Sequence, residues 1–148
     1  MNKSNSIPIL LVEDDEDNVL ILKRALQKCN VTNPLYIAAD GEDAYEFLTH
    51  TGAYENSQAS PRPGLIFLDL NMPRMDGREL LKKIKSDPSL QFIPTVVLTT
   101  SKYERDMQQT YNIGANSYIT KPINFQEFVD MIGVICEYWL AVVEIPMY

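Results

Sequence analysis

In this chain Leu65-Ile66-Phe67-Leu68 runs straight into Asp69, Ile7–Val12 into Glu13 and Asp14, Pro94–Leu98 into Thr99-Thr100-Ser101, and Ser117–Ile119 into Thr120-Lys121. Each apolar run delivers a polar or charged residue at its end. Carboxylates crowded into one small site cannot all stay ionised without a counter-charge, because each raises the pKa of the others. A divalent cation resolves that conflict. Mg²⁺ suits such hard oxygen ligands, since it keeps several positions for water and phosphate oxygens. Lys121 adds a mobile ammonium able to pair with Asp69 or with a phosphate placed on it, and Thr99 a hydroxyl able to donate to a phosphate oxygen. Together these groups form a set that takes up a phosphoryl group, provided the fold gathers them.

Unalternating apolar runs are the mark of strands buried on both faces, as in parallel sheets covered by helices. Pro34–Ala39 is a further, shorter strand. Between the strands lie helical spacings: Leu22, Ala25, Leu26 and Cys29 in a helix from Glu16 to about Cys29, and Ala44, Phe47 and Leu48 after the turn and N-cap at Asp40-Gly41-Glu42-Asp43. Leu80, Leu81 and Ile84 mark a third helix over Arg78–Lys85. The fourth, about Glu104–Asn112, has only Met107, Tyr111 and Ile113 and should be the least firmly held. The alternation predicts an α/β, flavodoxin-like, doubly wound five-stranded parallel sheet of order 2-1-3-4-5 with helices on both faces. Strands one and three then meet at the switch point, which brings Asp14 beside Asp69. Met72-Pro73 and Asp76-Gly77 turn the backbone away after Asp69, leaving its carboxylate on a loop rim.

Several residues admit a purely structural reading. Glu16 and Asp17 are first-turn acids that stabilise a helix dipole. Glu13 and Asp14, at the strand end itself, are divided between a metal or charge site and capping. Thr99-Thr100-Ser101 has the alternative of β-propensity plus a helix cap. His50, at the edge of the long Thr51–Gly64 surface loop, has no Cys or His neighbour and is a weak ligand candidate. Cys29 and Cys136 lack metal-ligand spacing and read as small buried hydrophobes.

With 148 residues there is room for one domain, with a core of about 7–140, and none for a second effector domain. The net charge of −7 argues against electrostatic capture of nucleic acid. No apolar run approaches the ~20 residues of a membrane span, and Met1–Ser6 opens no secretory signal, so a cytoplasmic location away from membranes is expected. No G-x-G-x-x-G or P-loop follows any strand, which excludes the common nucleotide-binding folds.

From Ile7 to Val134 the chain resembles the receiver domains of two-component response regulators. The resemblance is carried by Val12-Glu13-Asp14, Phe67-Leu68-Asp69, Met72-Pro73, Asp76-Gly77, Leu98-Thr99-Thr100-Ser101, Gly114-Ala115 and Lys121-Pro122, in the family's order. It implies a phosphoacceptor signalling protein in a histidine-to-aspartate phosphorelay rather than an enzyme. Asp69 would be the phosphoacceptor, with Mg²⁺ held by Glu13, Asp14, Asp69 and the backbone carbonyl of Asn71. Thr99 and Tyr118 would form the switch pair: Thr99 drawn to the phosphoryl group would vacate space into which Tyr118 turns. Lys121 would contact the phosphoryl group, and its bond to Pro122 would be cis. The long loop before Pro63 and the Leu98–Ser101 stretch look most like the small regulators paired with cyanobacterial phytochromes, which implies a phytochrome-type sensor histidine kinase as partner. Thr100 stands where many receivers carry a smaller residue, so access to the phosphorylated site would be tighter. Two alternatives are a non-phosphorylated binding module of the same fold, and a Mg²⁺-dependent phosphotransferase; the latter wants a second acid where this chain has Asn71.

The last helix should begin near Phe125 and reach past Trp139, covering the sheet with Phe125, Phe128, Val129, Ile132, Cys136 and Trp139. A second apolar set, Met131, Val134, Ile135, Tyr138 and Val142, falls largely off that stripe. The tail Ala141–Tyr148 adds more apolar surface with one charge. A homodimer through this helix and tail is the expected cover, with folding of the tail over its own subunit as the alternative.

Overall fold

The computed structural model describes residues 6–56, 60–72 and 74–146. Five parallel strands form one sheet, ordered β2-β1-β3-β4-β5. They are β1 (Ile9–Val12), β2 (Leu35–Ala38), β3 (Leu65–Leu68), β4 (Thr95–Thr99) and β5 (Ser117–Thr120). Each is followed by a helix: α1 (Glu16–Lys28), α2 (Gly41–Thr49), α3 (Gly77–Ser86), α4 (Glu104–Ile113) and α5 (Phe125–Glu137). The expected order and alternation are what the chain adopts. Val12 pairs with Leu68, so the residues after β1 and β3 emerge side by side.

The unalternating strands serve two cores at once. Because successive side chains point to opposite faces, Leu10, Val12, Ile66, Leu68 and Val97 pack under α2, α3 and α4. Ile9, Leu11, Leu65, Phe67, Val96 and Leu98 pack under α1 and α5. Helix starts are capped as their residue types require: Asp15, Asp40, Asp76 and Asn124 each accept a backbone N–H from the first turn. Asp15 is thus the α1 cap, while Glu16 and Asp17 sit in its first turn.

The fourth helix is as thinly held as its sequence suggested, but by a different residue. Thr110 is its one fully buried side chain; Met107 and Ile113 pack partly against the core, and Tyr111 is exposed. Tyr103 at its start provides no side-chain cap.

Described residues on both sides of the long 51–64 connection are tied down. His50 ends α2 in the left-handed region and its Nδ1 lies 2.9 Å from Oγ of the fully buried Ser60. Tyr54 stacks edge-on against Phe47 and donates to Asp43. His50 therefore fastens a loop.

The last helix departs from expectation in two respects. Its α-helical hydrogen bonding stops at Glu137, and a π-helical turn, Tyr138–Val142, carries it past Trp139. The wider turn rotates Leu140 into the core. Ile135, placed on the second apolar set by spacing, is buried with Phe128, Val129, Ile132 and Cys136, whereas Phe125 is partly exposed. What stays outside is Val134, Tyr138 and Val142, at 68%, 51% and 64% exposure and spaced four residues apart. Met147 and Tyr148 lie outside the described residues, as does Pro73.

Candidate functional site

The strand ends do converge. Carboxylate oxygens of Glu13, Asp14 and Asp69 all lie within 4.8 Å of one another at the carboxyl edge of β1 and β3. Glu13 is buried, Asp69 half-buried and Asp14 exposed. Three acids here face one cation. The Lys121 ammonium donates to Glu13 Oε1 at 3.1 Å, so the ion pair it makes is with Glu13 and not with Asp69. The Asp69 carboxyl is accordingly pushed up to about 6, first by burial and then by the charge of Glu13, with Lys121 opposing and Asp14 adding. A cluster of hard oxygens with a charge surplus fits a divalent cation by its donor chemistry.

Two glycines set the close approaches around this cluster. A Cβ on Gly77 would collide with the Asp69 carbonyl oxygen, and one on Gly41 with the Met75 carbonyl oxygen. The start of α3 is thereby pressed onto the backbone of Asp69, with Gly77 N–H bonded to Leu70 O at 3.0 Å. Arg74, in the left-handed region at φ 63°, forks onto Asp40 with contacts of 2.7 and 3.0 Å. That pair braces the loop carrying Asn71 against the α2 cap and holds the Asp40 carboxyl below its usual range despite its burial. Neither partner stands out in sequence, since Asp40 is fully explained as a cap and Arg74 sits in a loop.

The opposite wall comes from β4 and β5. Thr99 is fully buried, and its Oγ1 accepts the Ser101 N–H at 3.2 Å. Tyr118 lies inward, 8% exposed, and its hydroxyl donates to the Ser101 carbonyl at 3.0 Å. The ring expected to turn inward is therefore already there. Lys121 N–H bonds Thr99 O at 2.7 Å, extending the β4–β5 ladder. The Lys121–Pro122 bond is trans, not cis as the resemblance implies, and no cis bond occurs among the described residues; trans is the lower-energy form of an X-Pro bond by about 0.5–1 kcal/mol. Beside Asp69 opens a largely apolar cleft of about 240 Å³, walled by Ile21, Leu22, Thr100, Pro122 and Phe125. Thr100 thus does stand at the approach to the carboxylate.

The sequence profile of the response regulator receiver domain matches residues 9–133. The chain belongs to that family. It is 44% identical over 138 residues to the response regulator Rcp1 of Synechocystis sp., an alignment covering 93% of this chain and 92% of that one. Among solved structures, the phosphorylated cyanobacterial phytochrome response regulator RcpA superposes with a TM-score of 0.88 at 39% identity, covering 96% of this chain and 99% of that one. The Mn²⁺-bound form of Rcp1 gives 0.85 at 42%, covering 95% and 99%. This receiver is a two-component signalling protein, homologous to phytochrome response regulators, and no helix among its described residues is long and apolar enough to cross a membrane.

Proposed function

We propose that Asp69 is the phosphoacceptor of a histidine-to-aspartate phosphorelay driven by a phytochrome-type sensor histidine kinase. The observation that supports it is the half-buried Asp69 carboxylate, set among two acids and one lysine at the mouth of an apolar cleft. A carboxylate oxygen of Asp69 attacks phosphorus in line; the P–O bond to aspartate forms as the P–N bond to the donor imidazole, or the P–O bond of a small phosphodonor, breaks. Glu13, Asp14, Asp69 and the Asn71 carbonyl are the groups that would hold Mg²⁺, which supplies charge neutralisation on the transferring oxygens. Lys121 swings from Glu13 to a phosphoryl oxygen, and the Thr99 hydroxyl donates to another. The apolar rim, with Ile123 fully exposed beside Ile21 and Phe125, is where a donor helix presenting its histidine would rest. Incubation with acetyl phosphate and Mg²⁺ should add one phosphoryl mass to the wild type and none to Asp69→Asn; an equally modified variant refutes the assignment.

The partner surface follows from α5. Val134, Tyr138 and Val142 form an exposed apolar line continuous with the tail, and a second copy of the chain, paired about a two-fold axis, is the cover we propose. Light scattering at micromolar concentration should give a dimer mass that Val134→Glu with Tyr138→Glu reduces to monomer. A monomer for both free and phosphorylated wild type sinks the idea.

A further inference from the structure

Every polar atom of Ser101 is engaged. Its N–H donates to Thr99 Oγ1 at 3.2 Å, and its carbonyl accepts from Tyr118 at 3.0 Å and from Thr120 Oγ1 at 3.4 Å. Its hydroxyl donates to Asp106 Oδ2 at 2.6 Å and accepts from Tyr103 N–H. Asp106, in the first turn of α4, holds its other oxygen 3.0 Å from the Arg78 guanidinium, and Arg78 adds a bond to Gln109 at 3.1 Å. Arg78 follows Gly77, whose lack of a Cβ lets α3 press onto the Asp69 carbonyl. The contacts therefore form a chain: Asp69 backbone, Gly77, Arg78, Asp106, Ser101, Thr99. A shallow depression beside this chain of contacts is lined by Asn71, Ser101 and Asp106, so the chain borders the loop that follows Asp69.

This chain of contacts has a chemical consequence for Thr99. A hydroxyl offers one proton and two lone pairs. Because the Ser101 N–H occupies one lone pair of Thr99 Oγ1, the hydroxyl proton is left to be given away, which is the form a phosphoryl oxygen needs. The position of that N–H depends on Ser101, and Ser101 is held by Asp106 and Arg78.

We infer that Asp106 and Arg78 are positioning residues for phosphoryl transfer: acting through Ser101, they fix Thr99 as a hydrogen-bond donor towards the group arriving on Asp69. The pair spans α3 and α4, two helices that no sequence spacing connects. The link also ties down the start of a helix that has a single buried side chain and no side-chain cap. The inference rests on the donor role of Thr99 proposed above.

The test is a double-mutant cycle on the rate of phosphorylation of the full chain by acetyl phosphate with Mg²⁺, followed by intact mass. Asp106→Ala should lower the saturating rate by about fivefold, the worth of one hydrogen bond, with half-saturating acetyl phosphate unchanged. Arg78→Met should act in the same direction, and Ser101→Thr, which keeps the hydroxyl and the N–H, should retain most of the rate. Thr99→Ala should be slow by itself, and adding Asp106→Ala to it should slow it no further. A global loosening of the fold would instead lower the rate by the same factor in both Thr99 backgrounds, which overturns the inference, as does an unchanged rate in Asp106→Ala alone. A Thr99→Ala variant as fast as wild type would refute the Thr99 reading itself and the inference with it.

Discussion

Two lysines stand at opposite edges of the sheet, and their surroundings differ in kind. At the carboxyl edge Lys121 faces three carboxylates and pairs with Glu13, leaving a surplus of negative charge around Asp69. At the other edge Lys85 gives its three protons to Gln91 O, Ile93 O and Asn116 Oδ1, at 3.0, 3.0 and 3.1 Å, all neutral. Burial alone pushes Lys85 down to about 8. One edge satisfies its cation and stops. The other is left unbalanced, and an unbalanced, partly buried cluster can respond to a cation or a phosphoryl group as a satisfied one cannot.

The comparison breaks most visibly in stability. Lys121→Met strands the buried Glu13 beside Asp69 and should cost on the order of 3 kcal/mol without divalent metal, as expected for removing one partner of a buried pair. Mg²⁺ should return most of that loss. Lys85→Met leaves oxygens without their donor and should cost about 1–3 kcal/mol, with Mg²⁺ making no difference and acetyl-phosphate labelling of Asp69 unaffected. Urea unfolding with and without Mg²⁺ measures both. Equal recovery in the two variants would erase the distinction between the edges.

How far the sequence foretold this follows the same division. The strand ends were legible because unalternating apolar runs of four or five residues have one structural meaning here, and each run stops at its polar residue. The doubly wound sheet then came from connection rules, and the meeting of Asp14 with Asp69 from taking the common order 2-1-3-4-5 for it. The Lys121–Glu13 pair was not legible: Lys121 had three possible acids, and only side-chain reach and burial select Glu13. Asp106 and Arg78, and the link of Ser101 to them, were missed for another reason. The links among them are hydrogen bonds between residues 28 positions apart, Arg78 to Asp106, or across a loop, Ser101 to Asp106, and each type is ordinary where it stands. Ile135 was misplaced because the buried stripe was drawn too narrow: it stands three residues after Ile132 and one before Cys136, within the regular α-helix and on the same face.

A smaller effect sharpens the unbalanced edge from the opposite direction. The Asp69 carboxyl is pushed up to about 6 in the fold, chiefly by burial, from the ordinary aspartate value of 3.8, so between those values the folded state holds more protons than the unfolded one. Stability then falls as pH rises through that window. Removing the charge removes the fall. Asp69→Asn should be more stable than wild type by roughly 1–2 kcal/mol at pH 7.5 without metal, after allowing for solvent screening at a half-buried group. The gain should vanish near pH 4. Thermal unfolding across pH 4 to 8 tests it, and a variant no more stable at neutral pH would show that the edge carries no electrostatic strain.

The smallest effect separates neighbours in one acidic run. Asp14 shares the cluster with Glu13 and Asp69, whereas Glu16 lies in the first turn of α1, exposed, behind the Asp15 cap. Glu16→Ala should therefore remove only a favourable contact with the helix dipole, about 0.3–1 kcal/mol of stability, and leave Mg²⁺ affinity as in wild type. Asp14→Ala should weaken Mg²⁺ binding by calorimetry while costing the metal-free protein nothing, because it relieves repulsion at Asp69. The two substitutions thus move stability and affinity in a crossed pattern that neither a general loss of negative charge nor a general loss of helix structure can produce. Equal losses of Mg²⁺ affinity would mean that the whole acidic run acts as a diffuse field, and that the boundary between the site and the helix cap at Asp15 has been drawn in the wrong place.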